Sequence, residues 1–276
     1  MIFSGFKFSD FIGRFRNNKR QDSFHLTVCC IVKDENEYLK EWLEYHMKIG
    51  VQHFYIYDNE SKIPVGETLE NYNLLRFATV IPIFGKARQI DAYNDCIIRN
   101  KKFSDWIGFI DVDEFIVPKS TNGNLRLFLK DYEQFGGVGI NWLVFGSNGH
   151  LKRTHRPQLE SFLMRSDQGF HVNRHVKVII QTKFVKRSIG AHLFTFIKSY
   201  SAVNELGQEI GTSYSDVSVE KIQINHYYCR SLAEYEDKIN RGLADTSKGQ
   251  RQIDNFHSHD AQANKIEDRT ILEFIN

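Results

Sequence analysis

Short, almost wholly apolar runs recur along this chain with helix-spaced segments between them, and that alternation limits the folds it can reach. The runs are residues 26–32 (LTVCCIV), 51–57 (VQHFYIY), 76–83 (RFATVIPI) and 106–117 (WIGFIDVDEFIV). A run without polar alternation fits a parallel strand buried on both faces. After the first run, Asp34 with Glu37 three residues on forms a capping-box-like helix start. Leu39, Trp42, Leu43, His46 and Met47 follow at helical spacing, and Gly50 supplies a stop. Ile90, Tyr93, Ile97 and Ile98 mark a second helix over residues 88–100, and Pro82 demotes the end of the third run to a sheet edge or exit. The order β-α-β-(loop)-β-α-β predicts an α/β fold, Rossmann-like in build, with a mostly parallel sheet flanked by helices. Ligands then belong past the C-terminal strand ends, where Asp58-Asn59-Glu60-Ser61 fall. No GxGxxG is present, and Asp34 and Glu35 stand where glycines would cradle a pyrophosphate, which disfavours a dinucleotide cofactor.

Charge narrows the function. The 36 basic and 34 acidic residues nearly cancel, which argues against a protein built to wrap nucleic acid. No apolar run approaches the roughly 18 residues of a membrane span. Cys29, Cys30, Cys96 and Cys229 show no CxxC spacing and read as reduced core thiols of a cytoplasmic protein. In residues 1–24, Phe3, Phe6, Phe8, Phe11 and Phe15 interleave with Lys7, Arg14, Arg16, Lys19 and Arg20. This arm suits a surface helix lying on an anionic membrane, peripheral at its inner face, or else an arm packed on its own domain. The expected organisation is the arm at 1–24, a catalytic domain at 25–230, and a helical extension at 231–276. Leu232, Tyr235, Ile239 and Leu243 open that extension, and an amphipathic helix over 262–274 closes it.

The strongest chemical signal is the acidic cluster Asp111-Val112-Asp113-Glu114, set between Gly108-Phe109-Ile110 and Phe115-Ile116-Val117. In an extended chain residues 111 and 113 share a face. Two carboxylates in an apolar setting repel and are costly to bury. A hard divalent cation removes that cost and keeps open positions for water or phosphate oxygens. The cluster therefore predicts a magnesium or manganese site that holds a diphosphate. Glu114 alternates to the opposite face, for a structural or sugar-contact role. His226, between apolar Ile222 and Ile224 on one side and Tyr227 on the other, completes the metal shell or is a core histidine.

Several segments resemble glycosyltransferase family 92 and its relatives of the family 2 type. They are Cys29 to Glu37 with Tyr38-Leu39-Lys40-Glu41-Trp42, Tyr57 to Ser61, Gln89 to Asn94, Phe109 to Phe115, Asn141-Trp142, Phe145 to His150, Lys177 to Ile180, and Ile224-Asn225-His226-Tyr227-Tyr228 with Arg230-Ser231. They recur in order over residues 26–242. The resemblance implies a GT-A fold and a metal-dependent transferase that moves galactose from a UDP-sugar, with inversion, onto a glycan or lipid-linked saccharide. It matches Asp111 and Asp113 to the metal-diphosphate motif, with Asp113 central to catalysis. Lys33, Asp34 and Asp58 match positions near the base and ribose, and Arg88 and Gln89 match positions near the donor phosphates or sugar. The family's basic residue after the tyrosine pair is not cleanly matched by Cys229-Arg230.

Inversion needs a base for the acceptor hydroxyl. The candidates are Glu160, Asp167, His150 and His192. Glu160, beyond the FGSNGH loop, resembles an acidic position in the family and is the expected base. Trp142 reads as core, with a sugar-stacking role as the alternative. The cations of residues 165–187 suit an acceptor carrying phosphate or uronic acid. His257, His259 and Asp260 read as a solvated helix start. The competing readings are a magnesium-dependent phosphohydrolase with Asp111 as nucleophile, lacking the usual DxDGT-like turn, and a non-catalytic nucleotide- or glycan-binding relative.

Overall fold

The computed structural model describes residues 23–244, 246 and 250–275. The membrane-surface reading of the N-terminal arm rests on residues 1–22, outside the described residues. The strands are β1 (Phe24–Val32), β2 (His53–Asp58), β3 (Ala78–Pro82), β4 (Ser104–Phe109), β5 (Glu114–Pro118), β6 (Gly137–Val144), β7 (Met164–Arg165), β8 (Val176–Gln181), β9 (Val185–Ser188), β10 (Phe194–Phe196), β11 (Ala202–Val203), β12 (Glu209–Ile210), β13 (Ile222–His226) and β14 (Ile266–Glu267). The α-helices are α1 (Asn36–Lys48), α2 (Val65–Asn71), α3 (Gln89–Asn100), α4 (Leu125–Leu129), α5 (Gln158–Ser161), α6 (Leu232–Arg241) and α7 (Ile253–Ala263).

The main sheet runs β12-β11-β6-β8-β4-β1-β2-β3, with β13 joining β6 and β5. β3, β2, β1 and β4 are parallel neighbours, β8 runs antiparallel between β4 and β6, and β13 is parallel to β6. This is the expected α/β architecture, and β3 takes the edge that Pro82 predicts. β1 explains the lack of polar alternation. Val28, Cys30 and Val32 join the core beneath α1, while Cys29 and Ile31 join the one beneath α3. Both sides of the strand are dry, so both sets of positions are apolar.

Helix α1 buries the face expected of it, including Leu39, Trp42, Leu43 and His46. Its cap differs. Asp34 takes a left-handed conformation (φ 52°), Glu35 is the cap residue, and no side chain caps the helix. The same helix rivets β5. Trp42 Nε1 donates to the Glu114 carbonyl at 2.9 Å, Tyr45 Oη to the Ile116 carbonyl at 2.8 Å, and the Ile116 amide donates to His46 Nε2 at 3.4 Å. His46 Nδ1 donates in turn to the Trp42 carbonyl at 2.8 Å.

Two expectations fail in informative ways. Residues 106–117 are not one strand. β4 ends at Phe109, β5 begins at Glu114, and Asp111 and Asp113 lie in the turn between them. β4 pairs with parallel β1, whereas β5 pairs only with antiparallel β13, so the chain must leave one strand direction and take up another. The closing helix over 262–274 is also absent. α7 ends at Ala263, β14 pairs with β7, and a 3₁₀ turn spans Thr270–Phe274. The Arg165–Asp268 ion pair at 2.7 Å holds this segment against β7. No helix among the described residues is long and apolar enough to cross a membrane.

Burial pushes the His46 pKa down to about 3, so the folded ring is neutral. An unfolded histidine titrates near 6.5, so folding loses stability as pH falls below about 6.5, by at most about 1.4 kcal/mol per pH unit from this group. Urea midpoints of the wild type should fall between pH 7 and pH 5, and His46→Gln should flatten that slope.

Candidate active site

The turn between β4 and β5 and the first residue of β5 place three carboxylates close together, with Asp111 and Glu114 answered from β8 and Asp113 from α6 and β13. Asp111 accepts from Gln89 Nε2 of α3 at 2.9 Å and from Lys177 Nζ of β8 at 2.8 Å. Glu114 is fully buried, accepts the Asp111 amide at 2.9 Å, and lies 3.6 Å from the same ammonium. Burial pushes the Glu114 carboxyl well above the usual range, with Lys177 opposing. Burial alone would lower Lys177, but Asp111 and then Glu114 outweigh it, and the ammonium stays charged. Glu114 thus does not alternate away from Asp111: with no strand through residues 111–113, it accepts the Asp111 amide and shares Lys177 with it.

Asp113 turns away from Asp111, because the backbone between them is a turn and not a strand. Its Oδ2 accepts from Lys238 of α6 and lies 3.6 Å from His226 Nε2 at the end of β13. Burial raises the Asp113 carboxyl, but Lys238, His226 and Arg230 together hold it well below the usual range. Burial lowers His226, against the pull of Asp113. β13 places the histidine opposite Glu114. The start of β13 is set by buried Glu205, whose carboxylate accepts from the amides of Glu220, Lys221 and Ile222 at 2.8–2.9 Å.

A cavity of about 760 Å³ opens at the C-terminal ends of β1 and β2. Its lining mixes the cations Lys33, Lys62, Lys86, Arg153, Arg230 and Arg241 with the carboxylates Asp34, Glu35, Glu37, Glu234 and Asp237. Arg230 is held over the Tyr38 ring at 3.5 Å, pairs with Glu35 at 3.1 Å, and reaches the Val112 carbonyl at 3.5 Å, inside the acidic turn. Asp111 and Asp113 do not line this cavity. Helix α6 forms the partition, with Glu234, Asp237 and Arg241 on the cavity and Lys238 on Asp113. The loops around it carry non-glycine residues in the left-handed region, namely Asp34, Glu60, Ala87 and Arg230. Such conformations persist where the surroundings over-determine them, and they cluster at functional loops.

Lys33 and Asp34 therefore line the cavity, with Asp34 Oδ1 accepting the Lys62 amide at 2.7 Å. Asp58 has a structural use. Its two oxygens accept the amides of Ser61 and Val65, each at 3.0 Å. Gln89 meets Asp111 as expected, whereas Arg88 pairs with Asp91 at 2.9 Å. Glu160 is exposed and lines a groove with Glu41, Glu44 and Tyr45 that adjoins the cavity through Glu37, Tyr38, Arg153 and Glu234, and it makes no contact with Asp113. Asp167 lies near Lys265 at 3.6 Å, and His150 packs edge-on against Phe162. His257 and His259 lie on α7, and no group of three or more metal-binding side chains occurs among the described residues. The cations of 165–187 are dispersed rather than pooled. Arg165 pairs with Asp268, Arg174 with Asp216 and Lys177 with Asp111. Sequence reading missed Lys238 and gave Lys177 no role of its own. The only cue to Lys238 was a lysine inside the helical repeat that begins at Leu232.

The profile described as Glycosyltransferase family 92 matches residues 24–270. The chain belongs to glycosyltransferase family 92. A family 92 protein of Ricinus communis is 32% identical over 225 residues, covering 79% of this chain and 38% of that protein. One of Oryza sativa subsp. japonica is 24% identical over 251 residues, covering 90% and 40%. Galactan beta-1,4-galactosyltransferase GALS2 of Arabidopsis thaliana is 33% identical over 109 residues, covering 35% and 21%. The chain thus spans about two fifths of the length of the first two relatives.

Lys177→Met should lower unfolding free energy by about 3 kcal/mol, the lower end for a broken buried pair, because Asp111 keeps some solvent contact. Calorimetry should show the melting temperature falling by on the order of 10 °C, and Asp111→Asn added to Lys177→Met should restore part of it.

Proposed function

We propose that this family 92 domain is a hexosyltransferase that uses a nucleotide-sugar donor. The observation that carries the proposal is the meeting of Asp113 and His226 beside a cavity that offers Lys33, Lys62 and Lys86. The 3.6 Å between Asp113 Oδ2 and His226 Nε2 exceeds a hydrogen bond but suits two ligands of one cation. Lys238 already places a positive charge at the same oxygen. These residues fit magnesium or manganese with only two protein ligands, a shell that leaves positions for water and phosphate. Bound there, the cation would supply Lewis-acid neutralisation of a leaving diphosphate.

The chain's own residues do the rest. Lys33, Lys62 and Lys86 are the lining cations offered to a nucleoside diphosphate, since Arg153 pairs with the lining carboxylates Glu37 and Glu234, and Arg230 and Arg241 pair with Glu35. The cavity's place beyond β1 and β2 is where open α/β sheets take ligands. Arg230 links that cavity to the acidic turn. Lys238 and Lys177 keep the carboxylates neutralised before donor arrives. In the transfer, an acceptor hydroxyl forms a bond to the anomeric carbon as the bond to the diphosphate oxygen breaks, and its proton leaves to a base. UDP as nucleotide and galactose as sugar are supported by the family and by the partial match to a protein named as a galactosyltransferase. A glycan or lipid-linked saccharide acceptor belongs to the same proposal.

UDP at about a hundred times its Kd stabilises by roughly 2.7 kcal/mol, a rise of several degrees in melting temperature. That rise should need manganese and vanish in Asp113→Asn. UDP release from UDP-galactose should fall at least a hundredfold in Asp113→Asn and stay within twofold of wild type in Glu160→Gln. No shift with UDP or any other nucleotide, with or without metal, would remove the transferase reading.

A further inference from the structure

Beside the Asp113–His226 pair lies a cluster of rings that the donor reading does not use. Trp142 of β6 stacks on His175 with centroids 4.7 Å apart, meets His192 edge-on at 5.3 Å, and lies 4.2 Å from His226. Tyr214 closes the rim, 4.5 Å from His175 and half exposed. The register places these rings together. The Trp142 amide donates to the His175 carbonyl at 3.1 Å, and His175 immediately precedes β8, the strand that carries Lys177 to Asp111.

The polar atoms of this cluster are not consumed by the fold. His175 Nδ1 donates to the Val172 carbonyl and His192 Nδ1 to the Val176 carbonyl, each at 2.8 Å. Those bonds fix both tautomers and turn a bare Nε2 lone pair outward on each ring, with no hydrogen bond to it among the described residues. Trp142 is 8% and His226 6% exposed, yet Trp142 Nε1 and His226 Nδ1 are buried without partners. Buried polar atoms without partners are rare in folded proteins. Here they sit in one ring cluster whose exposed edge is the Tyr214 ring, and a ring beside polar atoms is the pairing that recognises a sugar, whose C–H face stacks on aromatic rings while its hydroxyls bridge donors and acceptors.

We propose that the Trp142–His175–His192 cluster, with Tyr214 at its rim, is the acceptor subsite and takes an uncharged pyranose. The word acceptor rests on the transferase reading, whereas binding of the sugar does not. The subsite offers rings and neutral imidazoles. Burial, then Lys177, pushes His192 down to about 3, and burial lowers His175. The nearby cations are engaged elsewhere, Lys177 by Asp111 and Arg174 by Asp216, so an anionic sugar finds no free partner on these two. This replaces the phosphate- or uronate-bearing acceptor expected from the sequence.

The test uses methyl β-D-galactopyranoside and methyl β-D-galactopyranosiduronate as probes, titrated by saturation-transfer NMR, with UDP affinity measured in parallel. Wild type should bind the neutral glycoside saturably and at least tenfold more tightly than the uronate. Tyr214→Ala and His192→Ala should each weaken the neutral glycoside at least fivefold and leave UDP affinity within twofold. Tyr214 is exposed at the rim, so its variant separates loss of binding from loss of fold. Unchanged glycoside binding in both variants, preference for the uronate, or no saturable binding to wild type would overturn the proposal. Loss of UDP-galactose affinity with UDP affinity intact would assign the rings to the donor sugar and overturn it too. Glycoside binding that depends on these residues, in a protein that binds no nucleotide, would keep the sugar site and remove the transferase reading.

Discussion

Buried Asp113 and Glu114, with half-buried Asp111 beside them, cannot stay uncompensated, and the answer to that constraint organises the C-terminal half of the molecule. Lys177 reaches the turn from β8, His226 from the end of β13, and Lys238 from α6. These positions lie far apart in sequence, so each contact also fixes an element. β8 must run antiparallel between β4 and β6 for Lys177 to arrive, and α6 must lie against the turn for Lys238 to arrive. The helical extension is therefore a wall of the site and not an appendage. Its hold is mutual, since Asp260 and Asn264 accept the amides of Ser147 and Asn148 in the loop after β6. Gly146 belongs to the same contact, because a Cβ there would come within 2.4 Å of the Asn264 side chain.

The first half of the fold was legible because local pattern and tertiary environment agree. β1 and β2 are apolar on both faces, α1 and α3 carry single apolar stripes, and Pro82 sits on the edge strand. The second half depends on partners distant in sequence. The break at residues 110–113 cannot be read from WIGFIDVDEFIV, because nothing local says that β5 abandons β4 for β13. The 262–274 segment has helical periodicity, but two ladder pairs with β7 and the Arg165–Asp268 ion pair prevail over it.

The candidate site was legible as residue types and only partly as geometry. Gln89 meets Asp111 and His226 meets Asp113, in two separate pairs, and Lys33 and Asp34 line a cavity of mixed charge. Asp58 and Arg88 have local structural partners, and Glu160 belongs to a different groove. The cations that answer the acids were invisible for a physical reason. A lysine in an amphipathic repeat looks solvated, and only the packing of α6 shows that Lys238 is buried on a carboxylate. The same packing sets α6 between the cavity and Asp113, with Glu234, Asp237 and Arg241 on one side and Lys238 on the other.

The central claim is that Asp113 and His226 form a divalent-cation site whose charge Lys238 supplies when no cation is bound. Manganese binding followed by electron paramagnetic resonance, in the presence of UDP, tests it without relying on turnover. The account predicts one site in the wild type, at least tenfold weaker in Asp113→Asn and in His226→Ala, and tighter in Lys238→Met, where the competing ammonium is gone. Wild-type affinity in His226→Ala, together with unchanged or weaker binding in Lys238→Met, would contradict it.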